Sequence, residues 1–202
     1  MYRNRDHFRW SGFMVKQSIE GETIFVLPNF LSADECDRYI ALSESAGYDE
    51  ATITTRAGAV MRKDVRDNLR VIHDDPALAS LLYERAKPHL PDRWMIWQVH
   101  GFNERLRFYR YDRTQKFDLH TDGCFRRSPD EESLFTFMIY LNDGYLGGET
   151  NFYDNRCGLK HSIKPEKGKA LVFWHYQLHE GAPLIEGRKY VLRTDVMYRR
   201  VK

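Results

Sequence analysis

The spacing of apolar residues changes character near Pro91. Before it, apolar positions recur at helical intervals in two places. Beyond it, they crowd into short runs rich in aromatic and β-branched residues. The continuous run Ile24 to Leu27 predicts a short strand. Ser32-Ala-Asp-Glu35 follows as a capping box, in which hydroxyl and carboxylate satisfy the free amides of a helix start. The helix so opened runs to about Ala46, with a narrow stripe of Cys36, Tyr39, Ile40 and Ser43, and Gly47 is placed to end it. Asp75, followed by Pro76, predicts a second helix with Leu78, Leu81, Leu82 and Ala86 toward the core and Pro88 closing it. Between the two, Glu50 to His73 is polar and without apolar periodicity. It reads as a long loop or weak hairpin carrying Arg56, Arg62, Lys63, Arg66 and Arg70.

The runs beyond Pro91 are Trp94 to Phe102, Leu106 to Tyr111, Leu134 to Leu141, Glu149 to Tyr153, Lys169 to Trp174 and Lys189 to Tyr198. Their composition predicts strands. Turn signals separate them, among them Asn142-Asp-Gly144, Gly147-Gly148, Glu166-Lys-Gly168 and Glu186-Gly187, with no helical interval. The predicted class is therefore mainly β (α+β): an antiparallel sheet folded on itself as a jelly roll, buttressed on one face by the two N-terminal helices. The 202 residues suit a single domain, 1–202, with 1–93 as helical and strand support and substrate loop and 94–202 as the β core.

Composition narrows the choice of partners. With 31 basic and 29 acidic residues the net charge is +2, and no basic block appears, so nothing demands a nucleic acid. Met1 to Arg9 holds three arginines and reads as a solvated end. Three cysteines, Cys36, Cys124 and Cys157, lack the pairing of a metal ribbon or a disulfide framework and suit a reducing cytoplasm. The longest apolar run, Leu134 to Leu141, is far short of a membrane span, and the N-terminus has no apolar leader. A soluble, cytoplasmic protein with no membrane association is expected.

One constellation carries chemistry. His120-Thr121-Asp122 follows the strand ending at Tyr111 and opens a glycine-containing loop. Alternate residues of extended chain project to one side, so both side chains can face one ion. His179 lies just past the strand ending at Trp174, and a jelly roll can bring the two places together at the barrel mouth. Two imidazoles and a carboxylate on one face of a metal leave positions open, which favours non-haem Fe(II) over a closed structural zinc. A 2-oxo acid can chelate there beside O2. Its far carboxylate needs a fixed cation, and Lys189, ten positions after His179, stands at the start of the last strand. Arg193 on the same strand face could substitute or assist, and Tyr111 could add its phenol. The other HxD, His73-Asp74-Asp75, precedes a predicted helix, where Asp75 is explained as its cap.

The segment from about Leu106 to Arg199 resembles the catalytic domain of the prolyl 4-hydroxylase-like 2-oxoglutarate oxygenases. The matching stretches are Phe108-Tyr-Arg-Tyr111, Phe117-Asp-Leu-His120-Thr-Asp122, Tyr140-Leu-Asn-Asp143, Gly147-Gly-Glu-Thr150-Asn-Phe152, Gly168-Lys-Ala-Leu-Val-Phe173, and His179-Glu-Gly181 followed by Lys189. The resemblance implies a double-stranded β-helix and Fe(2+) on His120, Asp122 and His179. It also implies the C5 carboxylate of 2-oxoglutarate on Lys189 with help from Tyr111. The family reaction decarboxylates 2-oxoglutarate to succinate and CO2 and hydroxylates an unactivated C–H bond, with L-ascorbate as an accessory reductant. Relatives that bind halide carry a small residue in place of the carboxylate, so Asp122 argues for hydroxylation. One departure is Tyr153, where prolyl hydroxylases often carry proline.

Other features have plainer explanations. His175 and His179 have the spacing of a helical zinc-protease motif, but Tyr176 sits where its glutamate belongs and the flanks read as strand. His89, His100 and His161 read as ordinary histidines, and Trp94, Trp97 and Trp174 as core. Gly147-Gly148 reads as a tight turn. The stretch Arg56 to Arg70 also holds Asp64 and Asp67 and can pair with itself. Its sharper reading is a lid whose Arg66 or Arg70 meets a substrate carboxylate, with Asn68 adding a hydrogen bond. The expected substrate is a peptidyl or free amino acid side chain or another small molecule. The competing readings are an oxidative nucleic acid demethylase, disfavoured by the near-neutral charge and by Lys189, and a non-catalytic jelly-roll binding protein.

Overall fold

In a computed structural model, the protein is described over residues 14–55 and 58–201; the side chains of 53–55 and 59 are left aside. Met1 to Arg9 and Arg56 lie outside the described residues. The elements that position the site are β1 (Gln17–Glu20), β2 (Ile24–Leu27), α1 (Ala33–Ala46), β3 (Leu69–Asp74), α2 (Pro76–Ala86), β4 (Trp97–Phe102), β5 (Arg105–Tyr111), β6 (Phe117–His120), β7 (Glu131–Tyr140), β8 (Thr150–Tyr153), β9 (Leu159–Ile163), β10 (Ala170–Trp174), β11 (Leu178–Gly181) and β12 (Lys189–Arg200). Every pairing among them is antiparallel.

A large sheet runs β1-β2-β10-β7-β12-β5-β3, with β4 paired to the far end of β12. A smaller one runs β6-β11-β8-β9. This is the double-stranded β-helix expected, and the period of 2 in its strands explains why it carries two cores. Along β7, Phe135, Phe137 and Ile139 join the residues of α1 and α2, such as Cys36, Leu82 and Ala86, in one buried cluster. Tyr140 and the partly buried Met138 turn to the opposite face, where Tyr109, Tyr111, Phe152, Leu171, Phe173 and Val191 form the second cluster, between the sheets. The apolar run Leu134 to Leu141 is continuous because its strand is covered on both sides.

Both helices start where their caps predict. Ser32 Oγ accepts from the Glu35 amide at 3.2 Å and the Glu35 carboxylate accepts from the Ser32 amide at 2.8 Å. Asp75 accepts from the Leu78 amide at 2.9 Å. A bidentate ion pair between Glu35 and Arg85, both side chains buried, ties α1 to α2. Two expectations are corrected. Leu81 is 54% exposed, and Ala79, Leu82, Tyr83 and Ala86 form the buried stripe instead, because α2 lies one position further round on the sheet. In Glu50 to His73, 53–55 pairs with 58–60 as the weak hairpin expected, but Leu69–Asp74 is a full strand of the large sheet. The strand was hidden because it lies one step from the sheet edge, with Ile72 facing solvent and only Val71 fully buried. Among the described residues no helix is long and apolar enough to cross a membrane.

The turn before β10 shows what the Glu166-Lys-Gly168 signal is for. Gly168 adopts φ +83°, donates to the Tyr140 carbonyl at 2.8 Å and accepts from the Leu31 amide at 3.0 Å. A Cβ there would lie 2.2 Å from the Leu31 carbonyl oxygen. Gly168→Ala is expected to cost more than the roughly 1–3 kcal/mol of left-handed strain alone, read as a lowered urea midpoint at unchanged slope.

Candidate active site

The site forms where β6 meets β11. In register, His120 lies opposite His179 and Phe117 opposite Gly181, with an irregularity between the pairs. Directly opposed residues of antiparallel strands project to the same face, so the two imidazoles converge, their ring centroids 4.3 Å apart. Asp122 is drawn in by its own backbone, whose amide donates to the His175 carbonyl at 2.9 Å. The donor atoms of His120, Asp122 and His179 all lie within 4.8 Å of one another. His120 Nε2 is 3.7 Å from one Asp122 oxygen and His179 Nε2 is 3.8 Å from the other. Both spacings fall inside the ~4.2 Å that two metal–ligand bonds of ~2.1 Å can span.

The hydrogen bonds around these groups suit a metal. His120 Nδ1 lies 2.6 Å from the Asp118 carbonyl and His179 Nδ1 lies 2.9 Å from the Gln177 carbonyl. A carbonyl only accepts, so each ring carries its proton on Nδ1 and turns the Nε2 lone pair to the centre. Burial drives the His120 pKa down to about 3 and lowers that of His179, which keeps both rings neutral and able to ligate. Burial alone would raise Asp122, but the Arg193 guanidinium holds it well below the ordinary carboxylate range. Arg193 lies 3.1 Å from one Asp122 oxygen and the Thr136 hydroxyl donates to the other at 2.5 Å.

A hydrogen-bonded chain stands behind Thr136. Its single proton goes to Asp122, so its oxygen accepts from Arg193 at 3.2 Å and from His175 Nδ1 at 3.1 Å. His175 Nε2 then accepts from Ser133, whose oxygen takes the Phe125 amide. His175 is thus fully buried, on a turn and not a helix, and serves the carboxylate from behind. Sequence alone missed Thr136 and His175 in this role, because a Thr between two phenylalanines in an apolar strand gives no sign of which carboxylate it will meet.

A single cavity is lined by the three candidate ligands and, further along, by Tyr109, Tyr111, Thr150, Lys189 and Val191. Four residues of strand, about 13 Å, separate Lys189 from Arg193. Lys189 is 3% exposed, lies 5.1 and 5.5 Å from the ring centroids of Tyr111 and Tyr140, and gives one N–H to the Gly148 carbonyl at 2.6 Å. Two of its N–H groups are left over, and the Tyr111 hydroxyl likewise has no hydrogen-bond partner among the described residues. A cavity ending in unfilled donors fits an anion there. Arg193, the alternative cation, is taken up by Asp122, Asp195, Thr136 and Tyr109. The turn at Gly147 and Gly148, both at positive φ, brings the accepting carbonyl to Lys189 and is no phosphate loop.

Of the expected substrate residues, Arg66 is buried beside the cavity, its guanidinium 4.5 Å from the ring centroids of both Tyr109 and Phe117. Phe117 in turn stacks on His120 at 3.6 Å. Asn68 is buried and turns inward, accepting from Arg66 at 2.6 Å and donating to the Leu69 carbonyl. Arg70 lies opposite Tyr109 in register and donates to Thr52 at 3.2 Å. Within Arg56 to Arg70 the expected self-pairing holds for Arg62 with Asp64, while Lys63 reaches outside the stretch to Glu50. The cysteines are free, as expected.

The fold, the three candidate ligands and the cavity together fit an oxygenase. Residues 106–194 match the 2OG-Fe(II) oxygenase superfamily. Over these residues the chain is similar to the 2-oxoglutarate-dependent Fe(II) dioxygenases, and the curated relatives it matches are named as prolyl 4-hydroxylases. It is 28% identical over 205 residues to probable prolyl 4-hydroxylase 3 of Arabidopsis thaliana, covering 82% of this chain and 66% of that one. With prolyl 4-hydroxylase 2 of the same plant it shares 27% over 210 residues, 87% of this chain and 67% of the other. The chain spans about two thirds of the length of these curated relatives. Among solved structures, it resembles the viral collagen prolyl hydroxylase of Paramecium bursaria Chlorella virus-1 bound to 2OG, at TM-score 0.58 and 22% identity, covering 89% of this chain and 97% of that one. It also resembles the prolyl hydroxylase of Trichoplax adhaerens solved with a hypoxia inducible factor peptide, at TM-score 0.66 and 18% identity, covering 87% and 84%. At these identities the structural likenesses establish the fold.

One consequence of the buried lysine is measurable without any ligand. Burial lowers the Lys189 pKa from 10.5 to about 8. Below about pH 8 the folded protein carries a charge the fold disfavours. Between about 8 and 10.5 the unfolded chain binds the extra proton, so this group's contribution to stability rises with pH. Lys189→Met should remove that rise, seen as the difference between the two proteins' denaturant midpoints across the interval.

Proposed function

We propose that this protein uses Fe(2+) and 2-oxoglutarate to hydroxylate an unactivated C–H bond of a peptidyl or free amino acid, or of another small molecule, releasing succinate and CO2. The observation that carries this reading is the single cavity with three metal-ligating groups at one end and a buried ammonium with unfilled N–H groups at the other. A dicarboxylate with a keto group at one end suits that order of groups, a metal-chelating end and an anionic end. His120, Asp122 and His179 would hold the iron, and Lys189 with Tyr111 would take the C5 carboxylate of the co-substrate. The bound iron and 2-oxoglutarate together supply the oxidising power, with L-ascorbate as an external reductant.

The chain's own residues do the rest. The Nδ1–H bonds of both histidines fix their rings, and Arg193 with Thr136 keeps Asp122 ionised and oriented. The apolar walls of Met138, Phe173 and Val191 exclude water from the space beside the iron. Peptidyl proline is the first substrate to try, since the relatives are named as prolyl hydroxylases and the Trichoplax neighbour was solved with a peptide.

Succinate formation from 2-oxoglutarate under air, with Fe(II) and ascorbate, is the direct test; a non-catalytic jelly-roll protein forms none. His179→Ala and Asp122→Ala should each abolish iron-dependent turnover. Lys189→Ala should raise the 2-oxoglutarate KM by at least about 30-fold, the effect of removing one member of a buried charge pair, while changing iron affinity little. An unchanged KM would return the anchor to Arg193.

A further inference from the structure

Two guanidinium groups near the site are matched by carboxylates, Arg107 meeting Asp195 at 3.1 Å and Arg193 meeting Asp122 at 3.1 Å. Arg66 and Arg70 are different: among the described residues neither has an acidic partner. Arg66, 5% exposed, is held by neutral groups alone, namely the Asn68 amide oxygen and the faces of Tyr109 and Phe117. Its Nη2 is buried without a hydrogen-bond partner. Arg70 bonds only the Thr52 hydroxyl. Burial lowers its pKa, and the positive charges of Arg66 and Arg107 push the same way. A guanidinium withdrawn from water without an anion is held at a net cost. Here Arg66 is withdrawn and Arg70 half-buried, both beside Tyr109, and Asn68 aims one of them.

We propose that Arg66 and Arg70 form a carboxylate-binding subsite for the substrate, and that the chain selects substrates carrying a carboxylate close to the carbon that is hydroxylated. The inference rests on the proposed use of the cavity for iron and 2-oxoglutarate. Its place follows from Phe117 and Tyr109, which line the cavity and clamp Arg66, so the subsite lies one ring away from His120. A planar guanidinium clamped between two rings offers a fixed edge, and a carboxylate meets such an edge with two parallel hydrogen bonds. A phosphodiester backbone would need a track of free cations, whereas Arg62, Lys63, Arg105 and Arg110 are each neutralised by a carboxylate.

The test is calorimetry on protein loaded with Fe(II) and 2-oxoglutarate under nitrogen. The probes are acetylated, amidated pentapeptide pools centred on proline with flanking Asp and Glu, the same pools with Asn and Gln, free proline against prolinamide, and a short thymidine oligonucleotide. Wild type should bind the acidic pool, or free proline, at least about tenfold more tightly than the neutral counterpart. The preference should fall to about twofold or less in the R66Q/R70Q double variant. The R70Q variant alone, which leaves the stacked arginine in place, should give an intermediate preference. Preference in the pools alone assigns the carboxylate to a peptide side chain, and preference for free proline alone assigns it to a small acid. Equal binding of acidic and neutral probes, a preference that persists without both arginines, or arginine-dependent binding of the oligonucleotide alone overturns the proposal. Binding of 2-oxoglutarate, measured in the same instrument, separates the two readings. Its absence in wild type sinks the proposed function, while its presence without any carboxylate preference sinks only the subsite.

Discussion

An ionised carboxylate in a dry cavity is the constraint around which this site is arranged. Asp122 is buried, and burial opposes its charge; Arg193 on one oxygen and Thr136 on the other make that charge tenable. Those two contacts dictate much else. Arg193 must come from the inward face of β12, which brings Lys189 inward as well, since residues four apart on a strand share a face. Thr136 must come from the inward face of β7, which sends Phe135 and Phe137 to the helices. The alternation of the two central strands thus sets the charged floor of the cavity and the helix-facing core at the same time.

The helices contribute at one remove. α1 and α2 cover the outer face of the large sheet and are locked together through Glu35 and Arg85. This leaves the inner face, with its tyrosines and fixed cations, for the smaller sheet and the cavity. Some polar side chains on that face find a protein partner, as Tyr140 and Thr150 do at 2.7 Å, while others, among them Lys189, keep hydrogen-bonding groups unfilled.

Local signals were the legible part of this fold. Caps at Ser32 and Asp75, turns at Gly147-Gly148 and Gly168, and aromatic strands each declare themselves within a few residues. The candidate metal ligands and Lys189 were also readable, because spacing along extended chain is itself a geometric statement and several motifs occur in order. What could not be read depended on contacts between distant segments. β3 looked like loop because its apolar residues are few and its neighbours supply its burial. Leu81 looked like core because a helical stripe of four leucine and alanine positions does not reveal the angle at which its helix meets a sheet. Arg193 was read as a spare anchor because nothing in the sequence near it points to Asp122, more than seventy residues earlier.

β6 is an edge strand of the smaller sheet, joined to β11 by only two paired positions, one of them His120 opposite His179. An ion gripped by both rings and by Asp122 would therefore act as a staple between segments 57 residues apart in the chain, at a seam with little pairing of its own. Occupancy and folding would be linked at that seam in both directions: an ion lost from it would free the two strands of the mouth, while the helices keep their own Glu35–Arg85 lock.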